Sequence, residues 1–140
     1  MNALFPDRLS EISPPNRAET ELEITVETSE SFFARMKEAA RAIDKGDFTP
    51  QPARLSFDSM AQLFETLTPG RWRLIESLTR SGPSSIRALS RALSRDYSSV
   101  HRDVSRLLEL NLIKKSEDGL ILVPWRKITA SMNLTPELAA

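Results

Sequence analysis

The spacing of apolar residues divides this chain into segments of two periods. From Glu21 to Glu27 (ELEITVE) the period is two: Leu22, Ile24 and Val26 take one side, the glutamates and Thr25 the other, as in a half-buried strand. The period then lengthens to 3.6. Ser29 or Ser31 can cap a helix that runs through Lys45, with Phe32, Phe33, Met36, Ala39, Ala40 and Ile43 as its stripe and Gly46 as its stop. That stripe suits core or a dimer interface better than any cofactor. A Pro-bounded loop from Phe48 to Pro52 follows, then a short strand, Arg54–Phe57, with Leu55 and Phe57 facing together. Asp58 or Ser59 caps the next helix, whose Met60, Leu63, Phe64 and Leu67 fall at i, i+3, i+4 and i+7. Thr68-Pro69 restarts a helix, threonine as cap and proline at the first position, filled inward by Trp72, Leu74, Ile75 and Leu78 and ended by Gly82-Pro83.

Two short helices come next. Ser84 or Ser85 caps SIRALSRAL, with Ile86, Leu89 and Leu93 inward and Arg87 and Arg91 outward. A tight turn at 94–96 leads into Tyr97–Leu110, capped by Asp96 and closed by Asn111 as a left-handed cap. Val100, Val104, Leu107 and Leu108 gather on its inner face; Ser98, Arg102, Ser105 and Glu109 stand opposite, with Ser99, His101 and Arg106 at the flanks. Two short helices joined by a three-residue turn are the outline of a helix-turn-helix. An outer face of hydroxyls and arginines suits base edges and phosphates in a major groove. The bland alternative is a solvated face that happens to hold two arginines.

After Leu112 the period returns to two. Ile113–Ser116, Glu117-Asp118-Gly119 and Leu120–Val123 read as a hairpin with a D-G turn, placed where a wing follows a recognition helix. Lys114 and Lys115 enter it, but its tip is acidic. Pro124-Trp125 breaks the pattern. Ile128, Ala130, Met132 and Leu134 then alternate as a last strand that can pair with Glu21–Glu27 or Arg54–Phe57, within the chain or across a dimer.

Charge sharpens this. The 140 residues carry 19 basic and 19 acidic groups, yet residues 1–66 hold 7 and 12 while residues 67–140 hold 12 and 7. Between Arg71 and Arg106 stand 8 arginines and no lysine against Glu76, Asp96 and Asp103. Arginine suits bidentate contact with guanine or phosphate. The chain has no cysteine, hence neither disulfides nor thiolate metal sites, which fits a reducing cytoplasm. Its start, MNALFPDRLSEI, lacks the basic and apolar parts of a secretory signal, and no apolar run approaches membrane-spanning length. An enzyme is not expected. A lone histidine, His101, supports no metal cluster or Cys–His pair, no G-x-S-x-G turn occurs, and the four glycines form no phosphate cradle. No cofactor or metal is expected.

The runs LTPGRWRLIESL (67–78), GPSSIRALSRAL (82–93) and VHRDVSRLLELNLI (100–113), followed by E-D-G and V-P-W, resemble a family of small prokaryotic winged-helix proteins regarded as transcriptional regulators, relatives of the MarR-like group. The resemblance covers roughly residues 55–134, and some members look like the antitoxin of a toxin–antitoxin pair. It implies a homodimer that binds a palindromic operator, often its own promoter.

The expectation is therefore an α+β, mainly α chain: a winged helix-turn-helix with an N-terminal strand–helix extension. Residues 1–20 read as a flexible arm, 21–53 as the extension for dimer or partner binding, 54–134 as the DNA-binding domain and 135–140 as a tail. The expected function is sequence-specific binding of double-stranded DNA by an autorepressing dimer, with a cognate toxin as a further partner. The alternative is a winged helix that binds a partner protein instead. Base reading falls to Ser98, Ser99, Arg102 and Ser105, with Arg102 the choice for guanine. Phosphate contact falls to Ser84, Ser85, Arg87, Arg91, Arg95, Tyr97, His101, Arg106, Lys114 and Lys115. Dimer or partner contact falls to Leu22, Ile24, Val26, Phe32, Phe33, Met36, Met132 and Leu134.

Overall fold

The computed structural model describes residues 20–136. The arm read over 1–20, apart from Thr20, and the end of the tail lie outside the described residues. The order of elements is β1 (Glu21–Val26), α1 (Ser29–Asp44), β2 (Ala53–Phe57), α2 (Met60–Thr66), α3 (Pro69–Ser81), α4 (Ile86–Leu93), α5 (Tyr97–Glu109), β3 (Lys114–Lys115), β4 (Ile121–Leu122) and β5 (Lys127–Ser131). The chain is thus α+β. Among the described residues no helix is long and apolar enough to cross a membrane.

Helix starts follow short polar side chains that accept from the orphan N–H groups of the first turn. Ser59 accepts from Gln62 N, Thr68 from Arg71 N, Ser85 from Ala88 N and Asp96 from Ser99 N. The first helix differs from expectation. Thr28, not Ser29 or Ser31, caps α1, accepting from the Ser31 backbone N–H at 3.1 Å. At the end of α5, Asn111 takes φ +59°. Its N–H donates to Leu108 O and that of Leu112 donates to Leu107 O, both at 3.1 Å. This is a Schellman closure, with an asparagine in the left-handed seat usually held by glycine.

The last strand pairs within the chain. A three-stranded sheet runs β2-β1-β5 with both pairings parallel. Leu22, Ile24 and Val26 stand level with Ala53, Leu55 and Phe57, so apolar side chains share one face. On the other face Glu23 lies beside Arg54 at 3.2 Å and Thr25 beside Ser56 at 3.3 Å. The hairpin β3-β4 is short. Gly119 at φ +81° and the bond from Ser116 N to Leu120 O turn it, and a bridge from Ser84 to Ile121 ties it to the start of α4.

A single core joins the apolar face of the sheet to the helices: Leu22, Ile24 and Phe57 with Leu63, Leu67, Leu74, Ile75 and Leu78, then Leu89, Val100, Val104, Leu107, Leu112, Ile113 and Ile121. This corrects one expectation. Leu22 and Ile24 are 4% and 0% exposed, so they fill the chain's own core and offer nothing to a second chain; Val26 packs against the same cluster. Phe32, Phe33, Met36, Met132 and Leu134 remain exposed.

Candidate nucleic-acid interface

Helix α5 turns its apolar stripe fully inward. Val100, Val104 and Leu107 are buried and Leu108 is half-buried. Its outward residues are therefore fixed by elimination: Ser98, Arg102 and Ser105 are exposed, and Ser99 is half-buried. The Ser105 hydroxyl donates back to His101 O at 3.0 Å, which leaves its lone pairs toward solvent. Tyr97 and His101 sit one turn apart with ring centroids 5.9 Å from each other, so the histidine lies beside the tyrosine at the helix rim.

Helix α4 precedes α5, joined to it by residues 94–96, with Ser94 in the left-handed conformation at φ +52°. Arg87 and Arg91 are both exposed on the outside of α4, and Ser85 caps its start. Ser84 is held in the ladder to Ile121 by its backbone, and its hydroxyl donates to Gly82 O, so it serves the hairpin first. Lys114 and Lys115 are exposed on β3, and the tip residues Glu117 and Asp118 are exposed beyond them.

Two of the arginines assigned to phosphate have partners inside the chain. Arg106 pairs with Glu109 at 2.9 Å on the surface of α5, an exposed pair of the kind that contributes little and is easily exchanged. Arg95 is the real departure. Its Nη2 donates to Asp103 Oδ2 at 2.7 Å, and its Nη1 is buried. The reason is Asp103, which lies in phase with Val100, Val104 and Leu107 and is carried into the interior with them. Its other oxygen accepts from Arg71 Nε at 3.0 Å, and Arg71 Nη1 donates onward to Thr66 O at 2.7 Å. One carboxylate thus fastens α5 to the start of α3, to the end of α2 and to the turn between α4 and α5. This clamp is what sequence reading missed. Its signal was present: an aspartate at a stripe position, in a segment of eight arginines, has to find cations when it is buried.

The acids of this segment are consequently all engaged. Asp103 holds two guanidinium groups, Glu76 lies 3.9 Å from Arg80, and Asp96 caps α5. The Ser99 backbone N–H, then the Ser99 hydroxyl, hold the Asp96 carboxyl below its ordinary value, so its charge is directed into the helix. Arg87, Arg91 and Arg102 form no ion pair among the described residues and stand on the outside with Lys114 and Lys115.

The family model described as HVO_A0114 matches residues 66–130, from the end of α2 into β5. The match takes in α3, α4, α5 and the hairpin and leaves out β1, α1 and β2. No curated protein and no solved structure matches the chain.

Proposed function

We propose that the chain is a winged helix-turn-helix regulator that binds double-stranded DNA in a sequence-specific manner. The observation that supports this best is the charge left unpaired on the outside of α4 and α5. Every acid between Arg71 and Arg106 is engaged within the chain, while Arg87, Arg91 and Arg102 face outward without partners among the described residues. In this reading α5 enters the major groove, where Ser98, Ser99 and Ser105 take base edges and Arg102 takes guanine O6 and N7. Arg87, Arg91 and Ser85 on α4, with Lys114 and Lys115 on the hairpin, hold phosphates and set the register. Tyr97 and His101 lie at the rim within reach of the backbone. The acidic hairpin tip keeps out of the minor groove. Arg95 leaves the phosphate set, and Arg106 joins it only by exchanging Glu109.

A single such module makes few phosphate contacts, so the working unit is a homodimer on two half-sites about one helical turn apart, acting in the cytoplasm as a repressor, its own promoter among its targets. The antitoxin role adds a toxin partner to this reading. Among the acids of the front half, Glu23 and Glu27 are paired with Arg54 and Arg35, while Glu30, Glu38, Asp44, Asp58 and Glu65 are exposed without an ion pair among the described residues and would be what a basic toxin meets.

The test is to select bound duplexes from a random pool and to titrate the enriched sequence by fluorescence anisotropy over a range of salt. The expected result is a steep linear fall of log affinity with log salt, about 0.9 for each phosphate contacted, and a slope lower by about one in Arg87→Ala or Arg91→Ala. Selection that enriches no sequence, or binding indifferent to salt, would sink the reading in favour of a protein-binding module.

A further inference from the structure

Helix α1 has sixteen residues and none of them is buried. Its half-buried residues are Arg35, Ala39 and Ala42, which face the chain's own sheet across an open cleft of about 480 Å³ lined also by Gln51, Pro52 and Arg54. Its large apolar residues lie elsewhere. At 100° per residue, the line through Met36 and Ile43 is about 90° round the helix from that inner face. Phe32 is 39% exposed, Phe33 62%, Met36 48% and Ile43 56%. The phenylalanines stack edge to face at 5.7 Å and the Arg35 guanidinium covers one side of Phe32, but no element among the described residues buries the stripe.

The stripe also has a register. Phe32, Met36, Ala39 and Ile43 are spaced four, three and four apart, a spacing that serves a coiled-coil seam as well as a core-facing stripe such as Val100, Val104 and Leu107; here the three large side chains are exposed instead of buried. We infer that α1 pairs with α1 of a second copy of this chain, antiparallel across a two-fold axis. In that arrangement Phe32 stands opposite Ile43 of the second copy, and Met36 and Phe33 lie beside its exposed Ala40, while Ala39 stays turned toward its own sheet. Two of the large side chains then meet a small one, and the helix dipoles oppose.

Charge and area select this occupant. Residues 29–44 carry three acids (Glu30, Glu38, Asp44) and three bases (Arg35, Lys37, Arg41), so the helix is neutral, as a surface that meets its own copy requires. A basic partner would be matched by an acidic face, which α1 does not have. The four exposed side chains with Phe48 of the following loop, 75% exposed, offer at most roughly 500 Å² per copy, hence about 1,000 Å² across a symmetric pair, the threshold a specific interface has to reach. The helix lies outside residues 66–130, so the inference owes nothing to the family match. It depends on the DNA-binding reading only in giving that dimer its surface.

The test uses the full chain without DNA. Wild type is expected to sediment as a dimer at micromolar concentration, and Met36→Glu with Ile43→Glu to raise the dissociation constant about 100-fold or more while its far-UV spectrum and thermal midpoint in dilute solution stay unchanged. The chain has no cysteine, so Phe32→Cys and Ile43→Cys, mixed under oxidation, report the register. Cross-linking in the mixture and not in either variant alone is the antiparallel result. A wild-type monomer, a double variant that still dimerises, or cross-linking of Phe32→Cys with itself each overturns the pairing. Because DNA is absent, a dimer that binds no duplex sinks the functional reading and leaves this one standing, and a monomer that binds a half-site does the reverse.

Discussion

Helices α1 and α5 carry comparable apolar stripes and use them in opposite ways. In α5 the stripe and the buried face coincide: Val100 and Leu107 are 0% exposed, and what remains outside is polar. In α1 the two faces are displaced, so that small and charged residues meet the sheet while phenylalanines face outward. Hydrophobic periodicity tells where a helix wants cover, not which chain supplies it. A stripe matched by its own core orients the opposite face for a partner that takes polar contact. A stripe left uncovered is itself the contact. On the two proposals made above, the helices divide the work, α5 presenting chemistry to DNA and α1 presenting apolar area to a second copy.

The sharpest way to break this contrast is at Asp103, because it fixes how α5 is turned. Asp103→Ala leaves two guanidinium groups, one with a buried nitrogen, without their shared carboxylate. The expected loss is about 3 kcal/mol of stability, since removing one member of a buried pair strands the others. Thermal unfolding with urea titration measures it. No comparable single change on the outer stripe of α1 should reach that size in the monomer. A loss under 1 kcal/mol would mean that packing of Val100, Val104 and Leu107 alone turns the helix.

The contrast also marks what could be read from the chain itself. Caps with a chemical mechanism were legible: Thr68 before Pro69, Asp96, Asn111, and Gly119 in the hairpin turn all sit where their side chains or φ angles demand. So was the inner stripe of α5, because its period belongs to one helix. Pairing was not legible. A period of two assigns faces but not neighbours, so the last strand left β1 and β2 open as partners, and only the structure selects β1 and the parallel direction. The same limit hid that Leu22 and Ile24 belong to the core rather than to an interface. Arg95 was read as a surface cation because arginine usually is one. Its inward turn follows from a carboxylate eight residues on, a relation that appears only once α5 has been wound and buried.

The next largest effect is expected at Arg102, on the outer face that the clamp orients. Arg102→Ala should weaken binding to the selected duplex by about 2 kcal/mol and binding to random duplex by much less. Its thermal midpoint should stay close to wild type, because the residue is exposed and makes no ion pair among the described residues. Equal losses on both duplexes would make Arg102 a phosphate contact and move base reading to the serines of the first turn.

The smallest effect separates the two helices by acid. Helix α1 is tethered through Glu27, whose Oε1 accepts from Arg35 Nη2 at 2.6 Å and from the Ser56 hydroxyl at 2.8 Å. The Arg35 hydrogen bond, against the opposing effect of burial, holds the Glu27 carboxyl below its ordinary value of 4.5. A carboxyl lowered on folding stabilises the folded chain above its unfolded value, and that contribution disappears as pH falls through the folded value. Acid below the ordinary value of 4.5 should therefore loosen α1, and Glu27→Gln should mimic this at neutral pH at a cost of about 1 kcal/mol, Arg35 being one-third exposed. Amide exchange in the Met36→Glu, Ile43→Glu background isolates the tether from pairing between copies. The amides of α1 should exchange faster in Glu27→Gln at pH 7, those of α5 should not change, and the difference in α1 should shrink as pH falls below 4.5. Equal protection of α1 with and without the carboxylate would show that the helix is held by its alanines against the sheet and not by this pair.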